Sequence, residues 1–348
     1  MILDEPTAVL TPQETDELFA VIRRVVRELG MTVIIITHKL YEVMAISDRV
    51  GVMRGGKLVG VCETKDVNER MLASMMVGRE MLFEELEKYG WVGRPLIQTE
   101  NLHVLSDRML PAVRGVSLEV RKGEILGIAG IEGNGQSELV EAITGMRAIQ
   151  SGRVLVDGVD VRNKEPGEVR SLGLAHIPED HLRTGLSVQS SVEDNLLTGK
   201  QRTRPFAVSG LHLKRRSIRD YARQLFKKFD IRGAGVDAVA GELSGGNMQK
   251  VVLAREFSLD ASALIISQPT RGVDIGAIEF IHKSIVEKRN AGCAVLLVSA
   301  DLDEVFRLSD RIITMYEGRV TGSFRAGEID KEGIGYYMTG ARDKETGA

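Results

Sequence analysis

Apolar residues along this chain gather in short runs separated by stretches of helical periodicity. Runs at 97–105, 113–120, 125–129 and 154–156 have the length and residue types of strands. Those at 172–177, 263–267 and 294–298 are apolar at nearly every position, as strands covered on both faces are. Helices are predicted between them, one over 138–144 and an amphipathic one opening near 245. Apolar strands flanked by helices predict an α/β core with a largely parallel sheet.

The pattern repeats. Residues 32–50, a strand, a turn and a helix ending in Ser47-Asp48-Arg49, return in register at 294–312, ending in Ser309-Asp310-Arg311. Upstream, Met1-Ile-Leu-Asp-Glu-Pro-Thr7 corresponds to Leu264-Ile-Ile-Ser-Gln-Pro-Thr270, each followed by a stretch expected to be an amphipathic helix. Downstream, Met53 to Lys57 matches Met315 to Arg319 as a hairpin turn. The second copy has residues 96–263 before it and the first has no such counterpart. The chain therefore reads as one domain and a fraction: 1–82 a partial copy, 83–95 a charged and then Gly/Pro-containing linker, 96–348 a complete copy.

Composition narrows the class. The 348 residues are 43% hydrophobic and 27% charged with a net charge of −3, which describes a globular protein and argues against a surface built wholly for nucleic acid. No apolar run approaches the roughly 20 residues of a membrane-spanning helix. The amino end lacks the pattern of a signal peptide, and Cys62 and Cys293 have no C-x-x-C partner, so both are expected to be buried small side chains in a reducing, cytoplasmic setting.

Two glycine-rich segments carry the chemistry. Gly130-Ile-Glu-Gly133-Asn134-Gly135-Gln136-Ser137 has the spacing of a phosphate loop, in which glycines let backbone N–H groups converge on phosphate at a helix N-terminus. Gln136 stands where the lysine belongs, so the strongest single counterion of the phosphates is lost, while Ser137 can still reach a magnesium ion. Leu243-Ser244-Gly245-Gly246-Asn247-Met248-Gln249 is a second anion cradle, a hydroxyl and glycine amides opening a helix.

With the Pro269-Thr270-Arg271-Gly272-Val273-Asp274 strand exit, these segments resemble the ATP-binding-cassette (ABC) ATPases. Leu243 to Gln249 look like their signature motif, 265–270 like the end of a Walker B strand, and Val273-Asp274 like the D-loop. The phosphate loop, Ile177-Pro-Glu-Asp180 and 269–277 are similar to the tandem cassettes that energise bacterial import of simple sugars and nucleosides. The resemblance implies a P-loop NTPase (RecA-like) core with an antiparallel β subdomain and an inserted helical subdomain, preceded by a partial copy of the same fold. It implies ATP and Mg2+ as cofactors, held between two cassettes, each nucleotide gripped by the phosphate loop of one and the signature of the other. The partners implied are transmembrane permease subunits and, indirectly, a periplasmic or lipoprotein solute-binding protein, with the chain peripheral on the cytoplasmic face of the membrane.

Carried over residue by residue, the resemblance assigns Asp4 to the magnesium-water position, Glu5 to the base that orients the attacking water, and His38 to the switch contact with the γ-phosphate. In the second copy all corresponding groups differ: Gln136 for lysine, Ser267 for aspartate, Gln268 for glutamate, Ala300 for histidine, with Glu179 at the Gln-loop position. One competent site and one degenerate site are expected, the signature of the second copy completing the site on Glu5 and His38. The phosphate loop that site needs is not in the chain, which points to a truncated reading or a lobe supplied by a partner. Histidines 103, 176, 181, 212 and 282 lack metal-ligand spacing and are expected to be structural or on the surface.

From Lys200 to Lys228 ten basic residues face one acid, Asp220. A solvated helix face or a surface near the membrane partner is expected, and nucleic-acid binding is not, because aromatic residues do not alternate with the charges. Two other functions fit parts of the pattern: a non-hydrolytic nucleotide-binding scaffold, which leaves Asp4, Glu5 and His38 without purpose, and a soluble tandem protein acting on ribosomes or nucleic acid, which calls for a longer linker. The resemblance implies a simple sugar or nucleoside as solute, and the Ile-Ser-Gln-Pro-Thr wording favours nucleosides.

Overall fold

Ile125–Ala129 is buried at every position and forms the strand around which the larger part of the molecule is built. The computed structural model describes residues 1–340 apart from 8–9, 38, 55, 78–85, 211 and 274. The leading part comprises β1 (Ile2–Asp4), α1 (Pro12–Leu29), β2 (Ile34–Ile36), α2 (Leu40–Ile46), β3 (Arg49–Arg54), β4 (Lys57–Glu63) and α3 (Glu69–Val77). There follow β5 (Pro95–Leu105), β6 (Pro111–Arg121), β7 (Ile125–Ala129), α4 (Gln136–Ile143), β8 (Ser151–Val156), β9 (Val159–Asp160), α5 (Pro166–Ser171), β10 (Leu174–Ile177) and α6 (Val192–Leu197). The remainder is β11 (Ala207–Val208), β12 (His212–Leu213), α7 (Arg215–Lys228), α8 (Gly245–Phe257), β13 (Ala263–Ser267), α9 (Ile275–Asn290), β14 (Ala294–Ser299), α10 (Leu302–Leu308), β15 (Arg311–Tyr316), β16 (Arg319–Arg325) and α11 (Lys331–Met338).

The central sheet has the order β10-β13-β14-β7-β15-β16 and is parallel except for β16. Its strands are covered on both faces, and period-2 alternation divides their side chains between two cores. Leu126 and Ile128 of β7 pack with Leu139 and Ile143 of α4 and with Ile97 and Val104 of the antiparallel sheet β6-β5-β8-β9. Ile125 turns the other way, into a core with Val252 and Leu253 of α8 and Ile281 and Ile285 of α9. Each such aliphatic side chain contributes about 1.5–3 kcal/mol by leaving water, so the strand carrying the glycine-rich loop is anchored from both sides.

The helical subdomain, α6 to α8, corrects one expectation. The helix opening after Ser244 is not amphipathic: every residue from Met248 to Phe257 is buried, because α6, α7, β10 and α9 surround it. α9 keeps the expected two faces: Ala277, Ile281, Ile285, Val286 and Arg289 are buried at helical spacing while Lys283 and Glu287 are exposed. The predicted strand at 172–177 starts at Leu174, after a turn at Gly173 with φ +88°. The helix after the glycine loop starts at Gln136, two residues before the position expected.

In the leading part, α1 does show the expected two faces. Thr11 and Glu14 form a reciprocal cap, Pro12 occupies the first turn, and Gly30 ends the helix in the left-handed region, while Phe19 and Ile22 are buried. α1 packs against α11 and α3 against α9. β1 pairs in parallel with β2, Ile2 opposite Ile34 and Asp4 opposite Ile36. The described end of the linker is tied down, with Lys88 Nζ donating to Ser309 O at 2.8 Å and Asn290 Nδ2 to Glu87 O at 2.9 Å; residues 83–85 lie outside the described part. Cys293 is buried as expected, whereas Cys62 is only half-buried, on the open hairpin β3–β4.

Candidate functional site

The loop between β7 and α4 closes on itself. Gly133 and Gly135 have φ of +89° and +95°, and a Cβ on Gly135 would lie 2.2 Å from Ala112 O, so the tight approach to the β5–β6 hairpin requires glycine. Asn134 fastens the loop to the β15–β16 turn: its Oδ1 accepts from Glu317 N at 2.7 Å and its carbonyl accepts from Gly318 N at 3.1 Å. Gln136 folds back into the loop, its Oε1 accepting from Asn134 N at 3.1 Å and its Nε2 donating to Ile131 O at 3.0 Å.

Beyond the loop lies a cleft of about 710 Å³ that brings together Ser137, Glu179, Gly245, Gln249, Ser267 and Gln268. Ser137 Oγ donates to Glu179 Oε2 at 3.4 Å, and Arg271 Nη1 bridges Glu179 Oε1 at 2.8 Å and Glu132 Oε1 at 3.0 Å. Burial raises the Glu179 pKa, the charge of Glu132 adds to it, and Arg271 and Ser137 oppose. Gln268 sits at φ +48°, its amide donates to Val298 O at 2.8 Å, and its Oε1 accepts from Ala300 N at 3.2 Å.

At the second cradle, Ser244 precedes α8 with its Oγ accepting from Asn247 Nδ2 at 2.8 Å, and Asn247 Oδ1 accepts from Arg232 N at 2.8 Å. A Cβ on Gly246 would approach Gly272 O to 3.0 Å, so the motif abuts the strand exit. Gln249 is buried, its Nε2 donating to Pro269 O at 3.4 Å.

Asp4 and Glu5 are at the end of β1 and do not line this cleft, whose described lining runs from Asp107 to Gly272. Glu5 has φ +42°, and its amide donates to Ile36 O at 2.8 Å. His38 and Asp274 lie outside the described residues. A residue the motif reading missed is Glu42, wholly buried on α2. It accepts from Thr7 Oγ1, from Thr37 Oγ1 at 3.0 Å and from Tyr41 OH at 3.2 Å, with Lys39 Nζ at 3.4 Å. It thus ties the segment after Glu5 to the strand end before position 38. Burial, then the charge of Glu42, raises the Tyr41 pKa. The signal available was the repeat itself, which aligns Glu42 with Glu304, another buried acid, paired with His282 Nε2 at 2.9 Å.

His176, in the wall of the cleft, is held neutral, its pKa lowered from 6.5 to about 4 chiefly by burial. The unfolded chain binds this proton below its own pKa and the folded chain does not until about pH 4, so stability falls as pH drops from 6.5 to about 4. Urea unfolding across this window should show a loss of up to about 3 kcal/mol, and His176→Gln should flatten the slope; an unchanged slope would refute the assignment. Of the basic stretch, Arg219 pairs with Glu193 at 3.3 Å and with Asp237, and Arg215 with Asp194 at 3.8 Å, a partly neutralised helix face.

Residues 113–271 match the family model described as ABC transporter. The chain is 46% identical over 345 residues to the glucose import ATP-binding protein of Haloferax volcanii, covering 99% of this chain and 62% of that protein. It is 40% identical over 345 residues to the nucleoside import ATP-binding protein of Lactococcus lactis, covering 99% of this chain and 68% of that protein. The chain belongs to the ABC importer ATP-binding proteins. A solved ATP-binding cassette of an ABC transporter matches with a TM-score of 0.57 at 26% identity, covering 73% of this chain and 99% of that one. The fold is that of a P-loop ABC ATPase. The chain spans 62% and 68% of the length of these two relatives, and no helix among the described residues is long and apolar enough to cross a membrane.

Proposed function

We propose that this chain is part of the ATP-hydrolysing subunit of an importer for simple sugars or nucleosides, with hydrolysis confined to a site built on Asp4, Glu5 and His38. The observation that carries the reading is a matched pair of strand exits. Glu5 and Gln268 share a positive φ, +42° and +48°, and the same 2.8 Å amide bond to the neighbouring strand, at Ile36 O and Val298 O. Two like backbones present a carboxylate in one place and a carboxamide in the other. A carboxylate accepts a proton from attacking water and a neutral carboxamide does not.

The likeness extends to the hairpins β3–β4 and β15–β16, whose registers shift at Val52/Met53 and Thr314/Met315. It supports reading 1–82 as the carboxyl-terminal part of a first cassette, 83–95 as a linker and 96–348 as a second, degenerate cassette in a tandem arrangement. In this reading Asp4 would help hold Mg2+, which would neutralise phosphate charge, Glu5 would orient the attacking water and His38 would meet the γ-phosphate, while Ser244, Gly245, Gly246, Asn247 and Gln249 would cap the nucleotide across two facing cassettes. The phosphate loop of this site comes from a segment outside the 348 residues. In the second cleft, Gly130, Gly133, Gly135 and Ser137 offer backbone and hydroxyl contacts to a nucleotide. Closure of the cassettes on ATP drives a membrane permease, fed by a solute-binding protein, from the cytoplasmic face.

The test is uptake. Cells lacking the protein should lose accumulation of a labelled nucleoside or simple sugar, restored by the complete gene and not by its Glu5→Gln form. Full restoration by the Glu5→Gln form would refute the proposal.

A further inference from the structure

We propose that Gln136 is an internal ligand of the second phosphate loop, its carboxamide occupying the loop from within and competing with nucleotide phosphate for the backbone. This rests on the reading of that cleft as the degenerate site and supplies its cause. Loss of the lysine removes a charge; it does not by itself say what the loop does instead.

The geometry answers that. Gln136 is buried, 6% exposed. Its oxygen takes the N–H of Asn134 at 3.1 Å and its nitrogen gives a hydrogen bond to Ile131 O at 3.0 Å, so one planar group satisfies a donor and an acceptor of the same turn. A lysine ammonium has donors alone and leaves the Asn134 N–H free for an anion. The carboxamide lies against Gly130, where a Cβ would come within 2.3 Å of Nε2. The neighbouring polar groups are engaged in the same way. The Ser137 hydroxyl donates to Glu179, and the Arg271 guanidinium is shared between Glu132 and Glu179. Three groups suited to phosphate or its metal, a loop amide, a hydroxyl and a cation, already have partners from this chain. A triphosphate entering the cleft must displace the carboxamide and meet two carboxylates.

Loss of charge and internal occupation make opposite statements about Gln136→Ala. If only charge is missing, shortening the side chain gains nothing; if the loop is occupied, it frees the Asn134 amide. The 348-residue chain carries this one phosphate-loop motif, so its binding of labelled ATP with Mg2+, measured by equilibrium dialysis, reports on this loop. Wild type should bind weakly, and Gln136→Ala should bind about tenfold more tightly, the worth of hydrogen bonds no longer competed for. Gln136→Lys should bind more tightly still. Hydrogen exchange without nucleotide gives a second reading, with the Asn134 amide protected in the wild type and unprotected in Gln136→Ala. Failure of Gln136→Ala to gain affinity, or an unprotected Asn134 amide in the wild type, would overturn the internal ligand and leave the degenerate-site reading standing. Wild-type binding as tight as that of Gln136→Lys would overturn both.

Discussion

Glu5→Gln, introduced into the polypeptide that carries the complete first cassette, should lower ATP turnover at least about a hundredfold while leaving nucleotide affinity within about twofold. The two side chains have the same shape, and the backbone at this point is held by the pairing of β1 with β2 and by the 2.8 Å bond from Glu5 N to Ile36 O. The substitution therefore changes the chemistry of one group and not its position. A general base contributes factors of this size because it takes the proton as the nucleophile forms. The mirror change, Gln268→Glu, restores a carboxylate in the second cleft and should leave turnover within about twofold. Ser267 and Ala300 still lack the partner groups there, and Gln136 still occupies the loop. Equal loss of activity from changes at both positions would show the sites to be assigned the wrong way round.

The largest expected effect on stability is at Glu256, on the buried helix α8. Its side chain is 0% exposed and receives hydrogen bonds from Arg170 Nη2 at 3.0 Å, Arg255 Nε at 2.6 Å and the backbone N–H of His176 at 3.3 Å. Arg255 is itself buried and also donates to Gly185 O at 2.8 Å. Glu256→Ala removes the anion that both guanidinium groups contact, leaving Arg255 charged in a covered site, and should cost about 3–5 kcal/mol. The exposed pair of Arg153 with Glu100, at 2.6 Å, gives the contrast. Glu100→Ala should cost far less, since solvent screens that pair and side-chain entropy opposes it. Urea unfolding of both variants measures the difference. A Glu256→Ala cost as small as that of Glu100→Ala would mean that the helical subdomain is not held to β10 through this network.

Much of the α/β core was legible because burial on both faces writes a continuous apolar run, as in 125–129, 263–267 and 294–298. The glycine loop was legible because tight backbone approaches admit few residues, as the clash at Gly135 shows. The surroundings of α8 were not. Lys250, Arg255 and Glu256 read as a polar face, yet they are buried because ion pairs and carbonyls within the fold receive them. Position 136 yielded the loss of a charge but not the direction of the side chain, which depends on the loop carbonyl and amide it meets. Glu42 carried no motif of its own. Its role emerges from two threonines, Thr7 and Thr37, that are distant in sequence and adjacent only once β1 and β2 pair. Glu5 and the signature segment are expected to meet only between two facing cassettes; within this chain Gly245 and Gln249 line the cleft of Ser137 and Gln268, and Glu5 does not.

The central claim is a single hydrolytic site on Glu5 beside a silent one. It is tested most directly by counting the ATP molecules retained per polypeptide by the Glu5→Gln form of the complete protein at saturating Mg2+-ATP, after rapid removal of free nucleotide. One tightly held ATP per polypeptide is expected; two held with equal affinity would contradict it.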